Sequence, residues 1–303
     1  MSKGNKTKKN RRKDTLRGAD LRMTGGLRPS KKLGQNFLVD EEVISEIIEG
    51  SSIDESSLVI EIGPGMGALT EHLVERAGRL VAIELDDRLI PVLRVKFFGY
   101  DNFELIHGDI LEVDLEELVR REKEEYGLTN VRIVGNLPYY ITTPIITKLL
   151  EKGTGADSIT AMMQKEVGDR LAAEPGTKNA GAITYQVHMY SEVFKVVDAP
   201  SDCFYPAPKV DSVVLRMDLR DEPAVKVSDE EFFFRCIKAG FMQRRKTLLN
   251  SLMTLGDFSK AEISEALEKA GIETTRRAES LDMNEFAILA DCLKETKIDE
   301  KQN

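Results

Sequence analysis

The chain lacks tryptophan, has only three cysteines and three histidines, and contains no run of about 18 apolar residues. The cysteines are far apart without C-x-x-C spacing, so neither a zinc site nor a disulfide framework is expected. The histidines are also scattered, and we expect no bound metal. A membrane-spanning helix is excluded, and the basic start lacks the apolar segment of a secretory signal. These absences predict a cytoplasmic protein.

The net charge of −9 is unevenly distributed along the 303 residues. Residues 1–32 hold twelve Lys and Arg against Asp14 and Asp20, a balance of +10, and the remaining chain carries −19. Basic blocks with few apolar residues are typical of disordered segments that often contact nucleic acid, although a solvated tail has the same composition. We therefore expect residues 1–30 to form a basic, disordered arm whose role stays open.

Beyond the arm, apolar strand-like runs alternate with segments of helical periodicity. Such alternation predicts βαβ units and a parallel sheet covered by helices on both faces. The predicted strands are Leu58–Ile62, Leu80–Glu84, Phe103–His107, Val131–Val134, Ser158–Met163, Val193–Val197 and Ser212–Leu219. We expect them to form one seven-stranded sheet, the last two as an antiparallel pair at its edge, in an α/β domain over residues 31–220.

A second, smaller domain is expected after the charged, proline-containing stretch Arg220–Pro223. The remaining chain shows only helical segments, two of them opened by capping-box patterns, Ser228 with Glu231 and Ser259 with Glu262. The sequence thus predicts an all-helical domain over residues 224–303.

A glycine-rich turn, Glu61–Gly67, lies where the first predicted strand meets the following helix. Its glycines allow a tight turn and let a ligand lie against the backbone. With Ala68 the segment also satisfies the dinucleotide pattern G-x-G-x-x-A, so NAD is one alternative. Glu61 favours S-adenosylmethionine instead, because that cofactor carries cationic sulfonium and amino groups and a dinucleotide fold usually has an apolar residue there.

Two carboxylates end the next strands. Glu84 lies nineteen positions after Gly65 and can accept hydrogen bonds from both hydroxyls of a ribose, with a surface helix cap as the alternative. Asp109 can accept from the exocyclic amine of a cofactor's adenine, or be an ordinary loop residue. Since the carboxyl ends of parallel strands share one edge of the sheet, these residues predict one continuous ligand site.

The sequence Asn-Leu-Pro-Tyr at 136–139 follows the fourth predicted strand. The Asn136 side-chain oxygen and a nearby backbone carbonyl can accept both hydrogens of a nucleobase amine, and Tyr139 offers a stacking face. Phe204 precedes a proline-rich turn and could close over the opposite face of the base. A strand-terminating turn with a surface tyrosine, and a packing phenylalanine, are the alternatives.

Together these motifs resemble the ribosomal RNA small-subunit adenine dimethyltransferase family over about residues 31 to 295. They are Gly34–Leu38, Glu61–Gly65, Glu84, Gly108–Asp109, Asn136–Tyr139, Gln164–Val167, Phe204–Ser212 and Gln243–Thr247. The resemblance implies a Rossmann-like methyltransferase domain that uses S-adenosylmethionine and a helical C-terminal domain that contacts rRNA. It also implies dimethylation of the N6 amines of two adjacent adenosines near the 3′ end of small-subunit (16S) rRNA within an assembling subunit.

Carried over by position, the resemblance also implies roles for single residues. The implied cofactor contacts are Asn36, Leu38, Gly63, Gly65, Glu84, Asp109 and Asn136. The implied catalytic residues around the target base are Asn136, Tyr139 and Phe204. We expect RNA affinity from the basic residues Arg244, Arg245 and Lys246, which otherwise form a solvated helix face, and we expect a monomer.

Three other functions stay possible on the sequence alone. A large-subunit rRNA adenine N6-methylase of the macrolide-resistance type shares the Asn-x-Pro-Tyr and glycine-rich motifs, although Gln164–Val167 and Gln243–Lys246 favour the small-subunit family. A non-catalytic ribosome-assembly or transcription factor is disfavoured by the intact residues Glu84, Asp109 and Asn136. An NAD oxidoreductase is disfavoured by Glu61 and by the lack of a well-placed acid or base for hydride transfer.

Overall fold

The computed structural model describes residues 27–30, 33–151 and 153–302. The predicted basic arm therefore lies almost entirely outside the described residues. The described chain divides into two compact units, the first formed by residues up to Lys165 together with Lys195–Arg216, and the second by Glu166–Phe194 and the residues from Met217 onward. The domain limits expected from the sequence, near residues 220 and 224, stay predictions.

Seven of the nine strands in the described chain form one sheet, in the order β4-β3-β2-β5-β6-β9-β7. The strands are β1 Phe37–Leu38, β2 Ser57–Ile62, β3 Arg79–Glu84, β4 Phe103–His107, β5 Asn130–Asn136, β6 Ser158–Gln164, β7 Ser191–Ala199, β8 Phe204–Tyr205 and β9 Ser212–Leu219. Strand β2 pairs in parallel with β3 and β5, β3 with β4, and β5 with β6. The predicted seven-stranded α/β sheet is confirmed.

Helices follow most of the strands, as the alternation of patterns predicts. They are α1 Glu41–Gly50, α2 Thr70–Arg76, α3 Ile90–Lys96, α4 Leu115–Tyr126, α5 Thr142–Leu149, α6 Lys165–Leu171, α7 Ala182–Tyr190, α8 Glu230–Met242, α9 Leu248–Leu252, α10 Lys260–Lys269 and α11 Met283–Gln302. Helix α6, which begins within the Gln164–Val167 motif, was not predicted. Among the described residues, none of the helices has the length and apolar character of a transmembrane span.

The sheet of the first unit is buried by helices. Every residue of β2 and β3 is buried, since parallel strands covered on both faces meet no solvent. On one face, Val59 and Leu80 belong to the same apolar cluster as Ile47 of α1 and Leu73 of α2. This packing fixes the strands, so that their carboxyl ends present the residues that follow them at one edge.

The second unit has its own helical core, in which Tyr185, Phe233 and Phe286 are fully buried. The predicted capping box at Ser259 and Glu262 is confirmed, with reciprocal hydrogen bonds of 3.2 and 2.5 Å.

The capping box predicted at Ser228 and Glu231 is wrong by one residue. Asp229 caps α8 by accepting from Phe232 N at 3.0 Å, and the Ser228 hydroxyl donates instead to Asp291 Oδ1 at 2.7 Å. A carboxylate is a strong acceptor for the amides at a helix N-terminus, so Asp229 and not Ser228 is the N-cap of α8.

Candidate functional site

A cleft opens at the carboxyl edge of β2, β3 and β5 in the first unit and encloses about 1050 Å3 of empty space, its open mouth included. Its walls are the turns after these strands, the segment after β4 and the residues 33–38 that precede α1. The predicted site residues that line it are Asn36, Leu38, Gly63, Gly65, Glu84, Asp109, Asn136 and Tyr139. The structure therefore brings together eight residues from five separate motifs.

The glycine-rich turn contributes Gly63 and Gly65 to the lining of the cleft. Gly63, Gly65 and Gly67 have φ angles of 67°, 59° and 82°, a region that side chains rarely adopt. A Cβ at Gly65 would lie 3.1 Å from Cδ1 of Phe37, and the Gly65 amide donates to Glu84 Oε2 at 3.1 Å. The turn therefore leaves backbone open to a ligand and connects directly to the next predicted site residue.

Glu61 is a buried carboxyl behind this turn, with 1% of its surface exposed. The Thr70 hydroxyl donates to its Oε2 at 2.7 Å. Burial raises the pKa of Glu61 to about 8, and the nearby charge of Glu84 acts in the same direction. A cationic group placed beside Glu61 would favour its ionised form, which is the form that suits a cationic cofactor.

Glu84 and Asp109 present carboxyl oxygens at neighbouring strand ends. Glu84 accepts from the Asp86 amide at 2.8 Å through Oε1, and burial is the main cause that raises the pKa of Glu84. Asp109 accepts from the Leu111 amide at 2.9 Å through Oδ1. Each carboxylate has lone pairs beyond those used here, so both can accept further hydrogen bonds from a ligand.

The segment before α1 lines the cleft and is held in place by Asp86. Gln35 Nε2 donates to Asp86 Oδ2 at 2.7 Å, and Gln35 Oε1 accepts from the Ser30 amide at 2.7 Å. Arg88 donates to Asp86 Oδ1 at 2.8 Å, and this guanidinium is the main cause that lowers the pKa of Asp86 to about 2. In the sequence, Gln35 stands out only as part of the Gly34–Leu38 motif, and no motif points to Asp86 or Arg88.

Asn136 has a fixed orientation at the end of β5. Its Nδ2 donates to the backbone oxygen of Asn36 at 3.1 Å, and the Leu137 amide donates to Met162 O at 3.0 Å. Because a carbonyl can only accept, the Asn136 amide must turn its nitrogen to Asn36, and its oxygen is left to accept from another group. The predicted acceptor is thus held in place by a second predicted site residue.

Tyr139 and Phe204 differ in their access to the cleft. The Tyr139 hydroxyl lies 2.6 Å from Ser212 Oγ, and burial raises the pKa of that phenol. Phe204 is 2% exposed, packs in the core, pairs through its backbone with Leu38 and is absent from the cleft lining. A role for Phe204 as a second stacking ring stays a prediction, and it would require the side chain to leave this core.

A family model described as ribosomal RNA adenine dimethylase matches residues 26–294. The chain belongs to this family. Ribosomal RNA small subunit methyltransferase A of Clostridium acetobutylicum is 47% identical to it over 262 residues, which cover 86% of this chain and 92% of that protein. The protein of the same name from Geobacillus thermodenitrificans is 47% identical over 266 residues, 87% and 90% of the two chains.

Solved structures agree with this family membership. A dimethyladenosine transferase from Plasmodium falciparum superposes with a TM-score of 0.70 at 26% identity, covering 86% of this chain and 98% of that one. The 23S rRNA methyltransferase ErmE superposes with a TM-score of 0.64 at 26% identity, covering 86% and 100%. The predicted family, α/β fold, enzyme class and cofactor, S-adenosylmethionine, are confirmed.

The residues that line the cleft of this family member suit S-adenosylmethionine chemically. Its glycine-rich turn lets a ligand approach the backbone. Its wall presents Glu61, Glu84 and Asp109, which suit a ligand with two cationic groups and a ribose. Among the residues that the structure describes, no three metal-ligating side chains come together.

The basic residues of the family's Gln243–Thr247 motif lie in the second unit, after α8. Arg244, Arg245 and Lys246 are all exposed, and Arg244 donates to the backbone oxygen of Ala180 at 3.0 Å. Exposed cations can reach phosphates, as residues that bind RNA must. Their contact with RNA stays a prediction.

Proposed function

We propose that this chain dimethylates the N6 amines of two adjacent adenosines near the 3′ end of small-subunit (16S) rRNA, while the small ribosomal subunit is assembled. The observation that carries the proposal is the position of Asn136. Its nitrogen is held by Asn36 on the cofactor side of the cleft, and Tyr139 follows it by three residues. The residues proposed as amine acceptor and stacking ring therefore line the same cleft as the residues proposed to hold the cofactor, which supports the proposal.

Bound S-adenosylmethionine supplies a methyl group that its sulfonium charge already activates. The chain's own residues would have to orient the acceptor and exclude water. Asn136 Oδ1 would accept one N–H of the adenine amine, and a backbone carbonyl near the Pro138 turn would accept the other. Hydrogen bonds from both N–H groups to these acceptors would raise the electron density on the amine nitrogen and orient its lone pair toward the methyl group for in-line displacement. The N–C bond would form as the C–S bond breaks, and the amine would then lose its extra proton to solvent.

Each proposed cofactor residue would contact a different part of S-adenosylmethionine. We assign the ribose hydroxyls to Glu84, the amine of the cofactor's adenine to Asp109, and the cationic end of the cofactor to Glu61, with backbone contacts from Gly63 and Gly65. Support comes from the lining of the cleft, where each of these residues is present, and from the free acceptor positions of the two carboxylates.

The large-subunit methylase is the second candidate, because ErmE shares the fold over its whole length. Sequence identity favours the first candidate. The chain is 44 to 47% identical to proteins called ribosomal RNA small subunit methyltransferase A and 26% identical to ErmE. An enzyme of assembling subunits would act in the cytoplasm, and we expect it to act as a monomer.

The proposal is tested with radiolabelled S-adenosylmethionine and two substrates, immature small subunits and naked large-subunit rRNA. Nucleoside analysis should find N6,N6-dimethyladenosine in the small-subunit RNA alone. Label in the large-subunit RNA would favour the second candidate. Binding to immature subunits without any transfer of label would indicate a non-catalytic assembly factor.

A further inference from the structure

Tyr140 is an exposed aromatic residue at the mouth of the cleft. It lines the cleft, and 56% of its surface is exposed. It follows Tyr139 in a turn where the Ile141 amide and the Thr142 hydroxyl both donate to Pro138 O, each at 3.1 Å. Two hydrogen bonds therefore fix the turn, which carries the adjacent aromatic rings of Tyr139 and Tyr140.

The two rings have different surroundings. Tyr139 is half-buried, and its hydroxyl is anchored by Ser212 at 2.6 Å. The Tyr140 ring lies against Gly34, where a Cβ would be 3.5 Å from Tyr140 Cδ1. That contact positions the Tyr140 ring at the rim and leaves more than half of the side chain open to solvent.

An adenine that enters the cleft must leave its stack, and its neighbour then loses a stacking partner. Single-stranded RNA regains such contacts on aromatic side chains. We propose that Tyr140 forms a second base-binding subsite, where the unpaired purine next to the target base stacks while the target amine lies at Asn136. This subsite rests on the proposed function, in which the target's neighbour is itself an adenosine.

The residues that line the cleft favour a stacking contact with a base at Tyr140 over an ionic contact with an RNA phosphate. The described residues that line the cleft include Glu61, Glu84 and Asp109 and no lysine or arginine, so this lining offers a phosphate no cation. An uncharged ring binds a base without a counterion, so the energy of this contact should depend little on salt. The ring alone carries the interaction, so the Tyr140 hydroxyl should be dispensable.

The test compares Tyr140→Ala, Tyr140→Phe and Phe98→Ala with the wild-type chain. Phe98 is the matched control, since it is an aromatic residue of the same unit, 91% exposed and outside the cleft lining. Steady-state methylation of immature small subunits gives KM and kcat, and calorimetry gives the Kd for S-adenosylmethionine. Tyr140→Ala should raise KM for subunits about 5- to 150-fold. Its cofactor Kd and the slope of binding against salt should be unchanged, and Tyr140→Phe and Phe98→Ala should behave as wild type.

Three results would overturn the subsite. They are an unchanged KM in Tyr140→Ala, an equal rise in Phe98→Ala, and a weakened cofactor Kd that accounts for the whole effect. If the wild-type chain transfers no methyl group to small subunits, the proposed function fails and the subsite with it. If the wild type is active and only the Tyr140 comparison fails, the proposed function stands without the subsite.

Discussion

Replacement of Glu61 by Gln should remove a large part of the pH dependence of stability. Glu61 is 1% exposed, and burial raises its pKa to about 8 from an ordinary value of 4.5. Between pH 4.5 and about pH 8, Glu61 keeps its proton in the folded chain and loses it in the unfolded chain. The free energy of unfolding therefore falls as the pH rises through this range. At 1.36 kcal/mol per pH unit, the full loss is about 5 kcal/mol.

Glu61→Gln keeps an oxygen that accepts from the Thr70 hydroxyl, and it cannot ionise. Urea unfolding at pH 5, 6.5 and 8 should show the fall in the wild type and its absence in the variant. Glu75→Gln, at an exposed position of α2, is the control and should keep the wild-type slope. Parallel slopes for the wild type and Glu61→Gln would refute the reasoning.

The affinity for S-adenosylmethionine should also depend on the ionisation of Glu61. A cation bound beside Glu61 stabilises its ionised form, so binding releases a proton below pH 8. The affinity for S-adenosylmethionine should therefore increase from pH 6 to 8 in the wild type and stay flatter in Glu61→Gln. Calorimetry in buffers of different ionisation enthalpy counts the protons released, and a release of equal size in both proteins would contradict the role of Glu61.

Three further changes test other parts of the site. Asn136→Asp should lower the ratio of dimethyladenosine to monomethyladenosine, measured by nucleoside chromatography. The first methylation removes one N–H donor of the adenine amine, and a carboxylate tolerates that loss less well than a neutral amide. An equal ratio in the variant and the wild type would contradict this. Alanine at Arg244, Arg245 and Lys246 together should weaken RNA binding and reduce its salt slope by about 2 to 3, with the cofactor Kd unchanged. Gly65→Ala should cost about 1 to 2 kcal/mol in urea unfolding and weaken cofactor binding in calorimetry, because its φ of 59° is strained for alanine and its Cβ would meet Phe37.

The sequence predicted the parts of the fold and site that depend on local patterns. Apolar runs located β2 to β5, and the rule that parallel strands share a carboxyl edge brought Glu84, Asp109 and Asn136 to one cleft. In the helical region, the capping pattern located the start of α10 at Ser259.

Contacts between distant residues could not be predicted in this way. Strands β1 and β8 have two residues each, too few to show a period, and they pair across more than 160 positions. The hydrogen bond between Tyr139 and Ser212, 73 positions apart, could not be predicted from local patterns either. Nor could the burial of Phe204. A short-range signal did exist for Asp229, whose carboxylate competes with Ser228 as the cap of α8.

The central claim is that the adenine amine and the cofactor meet at Asn136. Its most direct test is nucleoside analysis of small-subunit RNA after incubation with wild-type or Asn136→Ala chain, with the cofactor Kd measured in parallel. We expect dimethyladenosine at two adjacent positions with the wild type and none with the variant, while the variant still binds S-adenosylmethionine. Undiminished dimethyladenosine from Asn136→Ala would contradict the claim.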